Sequence, residues 1–145
     1  MNAENLRADP NEYFLSLCRS AYPETKVVIH GNLPEVCGPL QFVNKMVWEL
    51  TDNCVDQGAQ HVRITYGHGK LIIEDDVFHT NPQVILSNIN SENPQTTSGE
   101  AERGFGIKKM RELVEKRNGS LLYEEKEGKI TACASWDAEN GVTNN

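Results

Sequence analysis

Residues 49–59 read ELTDNCVDQGA, and they close the strongest helical period in the chain. From Gln41 to Gln57, the apolar residues Phe42, Val43, Met46, Val47, Leu50, Cys54 and Val55 recur at steps of three and four, and Gly58 supplies a stop. On such a helix Glu49, Asn53 and either Asp56 or Gln57 fall on one side, because residues three and four apart stack along the axis. A polar stripe beside an apolar one is ordinarily a solvated face. An amide oxygen one turn from a carboxylate also suits a hard cation such as Mg2+ and the positioning of a water. Helix geometry alone leaves both readings open.

Working outward, PNEYFLSLCRSA (10–21) predicts an amphipathic helix after Asp9, and KVVIH (26–30) a short strand closed by Gly31-Asn32. Downstream, HVRITY and KLIIED flank GHG and give a hairpin signal. The stretch from His79 to Arg103 is rich in Asn, Ser, Thr, Pro and Glu. It reads mostly as mobile surface loop, with room for a short helix around Val84 to Leu86. GFGIKKMRELVEK opens a second amphipathic helix, with Ile107, Met110, Leu113 and Val114 on one face. GSLLYEE, KEGK and ITACASW form a closing hairpin, and residues 137–145 a frayed tail. Helices on one face of a mixed, mostly antiparallel sheet make the economical arrangement, an α+β two-layer α/β sandwich.

Two further stretches carry polar groups where chemistry would want them. In LIIEDDVFH (71–79), strand alternation puts Leu71, Ile73 and Asp75 on one face, so Asp75 sits at the inner edge of the core if Ile73 points inward. A carboxylate there needs a partner, and an exocyclic amine of adenine is one donor that fits. Asp76 would point towards solvent, and both acids could equally terminate the strand and cap the next loop. In GFGI (104–107), glycines after a polar loop and before a helix would let backbone approach a ligand, with the exposed amides of the helix start favouring phosphate. A lone GxG is weak, since it also serves as a flexible lead into a helix.

At 145 residues the chain reads as one domain, with a core at about residues 25–136. A formal charge of -7 and a pI near 5.1 leave no basic stripe for a phosphate backbone, so no nucleic-acid ligand is expected. No apolar run reaches the length of a membrane span and the N-terminus lacks a signal-peptide pattern, so no membrane insertion and a cytoplasmic location are the expectations. Cys18, Cys37, Cys54 and Cys133 form no CxxC pair and read as buried free thiols. The four histidines read as ordinary strand, turn or loop residues.

Taken in order, ELTDNCVDQGA, IIEDD, a long polar loop, GFGIKKMRELVEKRNGSL and GKIT resemble the ATP-binding (Bergerat-type) domain of the superfamily that joins histidine kinases, gyrases, chaperones and mismatch-repair ATPases. The resemblance runs from about Val27 to Trp136, and the last helix and hairpin look most like sensor histidine kinases. It implies ATP and Mg2+ as cofactors. Asn53 matches the Mg2+-binding asparagine, and Glu49 the catalytic carboxylate that orients water in the hydrolysing branches. Asp75 matches the aspartate that bonds adenine, and Thr131 a threonine that supports it. Gly104 and Gly106, with Phe105 and Ile107, match the segment that closes over the phosphates, and residues 79–103 would be the lid.

The family pattern after the adenine-binding aspartate is D-x-G-x-G, and here Val77 and His79 stand at both glycine positions. No histidine lies on a helix suited to accept phosphate. The leading expectation is therefore an enzyme domain of histidine-kinase type, presenting ATP-Mg to a histidine on a dimerisation domain or on a separate phosphoacceptor protein, with a response regulator as a further partner in two-component signalling. The alternatives are a degenerate, non-catalytic member that acts as an interaction or phosphotransfer scaffold, and an ATP-hydrolysing clamp of the mismatch-repair and gyrase branch, which rests on Glu49 and Asp56.

Overall fold

The computed structural model describes residues 9–90 and 101–137. Among these the order of elements is α1 (Pro10–Ala21), β1 (Lys26–His30), α2 (Gln41–Asp56), β2 (His61–Gly67), β3 (Lys70–Asp75), α3 (Pro82–Ile89), α4 (Ala101–Glu115), β4 (Ser120–Lys126) and β5 (Lys129–Ser135). Helix α1 starts where Asp9 caps it, its carboxylate accepting from the Glu12 amide at 3.2 Å with proline just inside the first turn.

The five strands form one sheet in the order β1-β2-β3-β5-β4. β1 and β2 run parallel, as the crossover through α2 requires, and the other pairs are antiparallel. Both hairpins turn through two residues at positive φ, His68-Gly69 and Glu127-Gly128. That conformation matches the twist of the flanking strands.

Register puts Ile29, Ile64, Ile73, Ala132 and Tyr123 in one row across all five strands. This row lies on the inner face, where Val62, Ile64, Leu71, Ile73, Leu121, Ala132 and Ala134 are buried against Phe14 and Cys18 of α1, Met46, Val47 and Leu50 of α2 and Met110 and Val114 of α4. The opposite face is open, with Val28 and Leu122 exposed. The α+β sandwich read from the sequence is the architecture found: a mixed five-stranded sheet with helices packed on one face. No helix among the described residues is long and apolar enough to cross a membrane.

The lid expectation needs revision at both ends. The short helix allowed around Val84 to Leu86 is present as α3 and extends over residues 82–89, and α4 begins at Ala101, ahead of the glycines. Residues 91–100, like 138–145 of the expected tail, lie outside the described part. α3 buries none of its residues completely and sits beside the edge strand β4. There the Asn90 amide donates to the Tyr123 carbonyl at 2.9 Å and accepts from the Tyr123 N–H at 3.0 Å. One side chain thus occupies both edge groups of that residue, which blunts an otherwise open strand.

Candidate functional site

The site is built where the C-terminal half of α2 lies over the end of β3. Asp75 is two residues beyond Ile73, which is 1% exposed, so its carboxylate projects to the inner face as alternation requires. It accepts from the Val77 N–H at 3.0 Å. Cys54 of α2 lies beside it, near enough for the carboxylate to act on the thiol. Burial first, and then the Asp75 carboxylate, push that thiol well above its ordinary range. Tyr123, across the sheet on the same face, has its phenol pushed up by burial and then by Cys54, partly offset by Arg111. Arg111 in turn donates to the Ile89 carbonyl at 2.6 Å and so joins α4 to the end of α3.

Glu49 and Asn53 lie one turn apart on α2, both half-buried, whereas Asp56 and Gln57 are exposed. Asn53 is the residue just before Cys54, so the polar stripe borders the Asp75 contact. The other flank of α2 is structural. Trp48 meets Phe14 edge-on and stacks on Tyr22, and the Tyr22 hydroxyl donates to Asp52 at 2.7 Å. Burial, that bond to Asp52 and, to a lesser extent, the Glu49 charge all push the Tyr22 phenol up.

Other residues singled out from the sequence fall less simply. GFGI lies inside the first two turns of α4 rather than before it. In a helix that begins at Ala101 the Gly104 N–H makes the first intrahelical bond, so the amides of Gly104, Phe105, Gly106 and Ile107 all lie within the helix. The Phe105 side chain lies outside the described part, while Ile107 packs against the core. Thr131 is on the wrong face for the role its match implies. Ile130, Ala132 and Ala134 are buried on the inner face, so Thr131 projects outward beside Glu124 and is separated from Asp75 by the sheet. The apolar set in I-T-A-C-A-S carried that signal.

The stretch without glycines takes a path of its own. Neither Val77 nor His79 has positive φ. The chain runs on to the β4–β5 turn, where the His79 N–H donates to the Gly128 carbonyl at 2.9 Å and the Phe78 ring lies over Gly128, with the Lys129 ammonium 5.6 Å from its centre. Gly128 is required twice: its φ is +85°, and an added Cβ would lie 2.7 Å from Phe78. Asp76 does not simply face solvent, because it accepts from the Gln60 N–H at 3.0 Å and pairs with His61 Nδ1 at 2.9 Å. Of the cysteines only Cys18 is fully buried; Cys37 is exposed, and all four are free.

The donor set fits an adenine nucleotide with Mg2+. A carboxylate offers about four lone-pair sites, so Asp75, which accepts from the Val77 N–H, has acceptor capacity left for an exocyclic amine. Among the described residues no group of three His, Cys, Asp or Glu side chains could hold a metal alone. Mg2+ bound through one or two protein oxygens and phosphates needs no such cage.

No model of a known protein family matches the chain, and no curated protein does. Solved structures do match. It is similar to a mycobacterial sensor histidine kinase, MprB, at 15% identity and TM-score 0.60, covering 86% of this chain and 89% of that one. The catalytic domain of the histidine kinase ThkA matches at 12% identity and TM-score 0.57, covering 94% and 92%. The histidine kinase domain of a blue-light-activated kinase from Erythrobacter litoralis matches at 14% identity and TM-score 0.60, covering 91% of this chain and 61% of that one. At such identities the likeness speaks for the fold, and the chain has the fold of the ATP-binding catalytic domain of histidine kinases.

Proposed function

We propose that the chain is an ATP-binding catalytic domain of histidine-kinase type, presenting ATP-Mg to a histidine supplied by another domain or chain. The observation that carries the reading is that Asp75, on the inner face at the end of β3, lies beside Cys54 of α2, the residue next to Asn53. Asp75 binds the base by accepting its exocyclic amine. Asn53 holds the metal through its amide oxygen, and Glu49, one turn away, orients a water. The first turns of α4, with Gly104 and Gly106, border the phosphates. ATP supplies the γ-phosphoryl group when bound, and the chain's task is to position it and to offset charge. The partners in this reading are a histidine-bearing dimerisation domain or separate phosphoacceptor and a response regulator, in the cytoplasm.

A second reading has two observations in its favour. Thr131 faces away from Asp75, and the segment from Val77 to His79 follows the β4–β5 turn. Both suit a degenerate member that keeps the sandwich and acts as a scaffold without catalysis. Calorimetric titration with Mg-ATP separates the two. In the catalytic reading the unaltered protein binds, Asp75→Asn loses preference for ATP over GTP, and Asn53→Ala loses the Mg2+ dependence of binding. Binding that survives both substitutions unchanged would place the site elsewhere.

A further inference from the structure

The end of β3 is held from one side only. Its ladder with β5 ends at Ile73, paired with Ala132, while its ladder with β2 continues to Asp75, paired with Val62. Asp75 therefore projects its carboxylate from a stretch that has lost one neighbouring strand. Beyond it the chain has no glycine turn to fix its path, since Val77 and His79 keep negative φ. What continues the β2–β3 ladder is a side chain. Asp76 falls opposite His61 in the continued register, and its two carboxylate oxygens take the Gln60 N–H at 3.0 Å and His61 Nδ1 at 2.9 Å. The next residue, Val77, donates its N–H to Asp75 Oδ1 at 3.0 Å. The bond that orients the Asp75 carboxylate thus springs from the residue after the clasp.

We infer that Asp76 is a positioning residue for the base end of the site: by clasping Gln60 and His61 it holds the Val77 amide on Asp75 and aims that carboxylate at the adenine amine. This rests on the reading of Asp75 as base anchor. The clasp does what a glycine turn does in the related pattern, by side-chain hydrogen bonds instead of backbone geometry. A carboxylate free to rotate would lose directional selection between an amine and a carbonyl on the purine, because a hydrogen bond to a charged group weakens steeply off axis.

Two measurements on Asp76→Ala test the inference: amide hydrogen exchange of Val77 in the ligand-free protein, and calorimetric affinity for Mg-ATP and Mg-GTP. Expected are Val77 exchange faster by about tenfold, ATP binding weaker by about tenfold and preference over GTP largely lost, with little change in melting temperature. Asp76→Asn keeps an acceptor for the Gln60 N–H and should recover part of each effect. His61→Ala removes one partner at an exposed position and should reproduce the pattern at smaller amplitude. Unchanged Val77 exchange in Asp76→Ala overturns the inference whatever the nucleotide does. Faster exchange with intact ATP preference also overturns it, since the clasp would then be structural only. If the unaltered protein binds no ATP, the reading of Asp75 fails and takes the inference with it, whereas the exchange result still reports the clasp.

Discussion

At the scale of single residues, the sequence makes acids and amides visible but not what they are bonded to. Asp75 is legible as inward-facing from the alternation of Leu71 and Ile73, and it is found there. Its contact with Cys54 is not legible, because it depends on how far α2 slides along β3. Thr51 was hidden for the same reason: it is 0% exposed and its hydroxyl has no hydrogen-bond partner among the described residues. A buried hydroxyl without a partner costs the folded state its hydration. Thr51→Val, of the same shape, should therefore raise stability by about 1 kcal/mol, read from chemical denaturation with an unchanged slope. Asp76 gives a pH-dependent counterpart. Its carboxyl is held below the ordinary 3.8, first by the bond with His61 and then, against some desolvation, by the Gln60 amide. A depressed folded pKa means stability that is present above the unfolded value and lost as pH falls through the folded one. The small contribution of this exposed carboxylate to melting temperature should thus fade as pH falls below about 3.8, and Asp76→Asn should remove that part of the acid dependence.

At the scale of elements, periodicity and turn chemistry carry most of the boundaries. α1, β1, β3 and the two hairpins lie where Asp9, Gly31 and the GHG and KEGK stretches put them, because caps and positive-φ turns are local. The errors fall where local signals compete. Ala101, Glu102 and Arg103 are good helix formers ahead of Gly104, so α4 starts earlier than its glycines suggest. The path of Phe78 and His79 is set by a partner about fifty residues away in sequence, the β4–β5 turn, and no local pattern encodes that contact. The turn offers its own test. Gly128→Ala should cost about 1–2 kcal/mol, from positive φ and from the clash with Phe78. In a Phe78→Ala background the steric part should vanish and a smaller cost remain, a coupling that a double-mutant cycle reads directly. Equal cost in both backgrounds would show that Phe78 does not rest on the turn.

At the scale of the molecule, one apolar face of the sheet receives α1, α2 and α4, and this arrangement brings the end of β3, the polar stripe of α2 and the first turns of α4 to the same side. The order of motifs suggested that gathering, while the outward turn of Thr131 and the glycine-free strand end are this chain's own. Whether the chain binds nucleotide is the central question, and thermal melting with and without Mg-ATP asks it of the whole protein. At about a hundred times its dissociation constant, a ligand that binds only the folded state stabilises it by about 2.7 kcal/mol. The account predicts a clear upward shift in melting temperature with millimolar Mg-ATP, reduced in Asp75→Asn; no shift with the unaltered protein would contradict it.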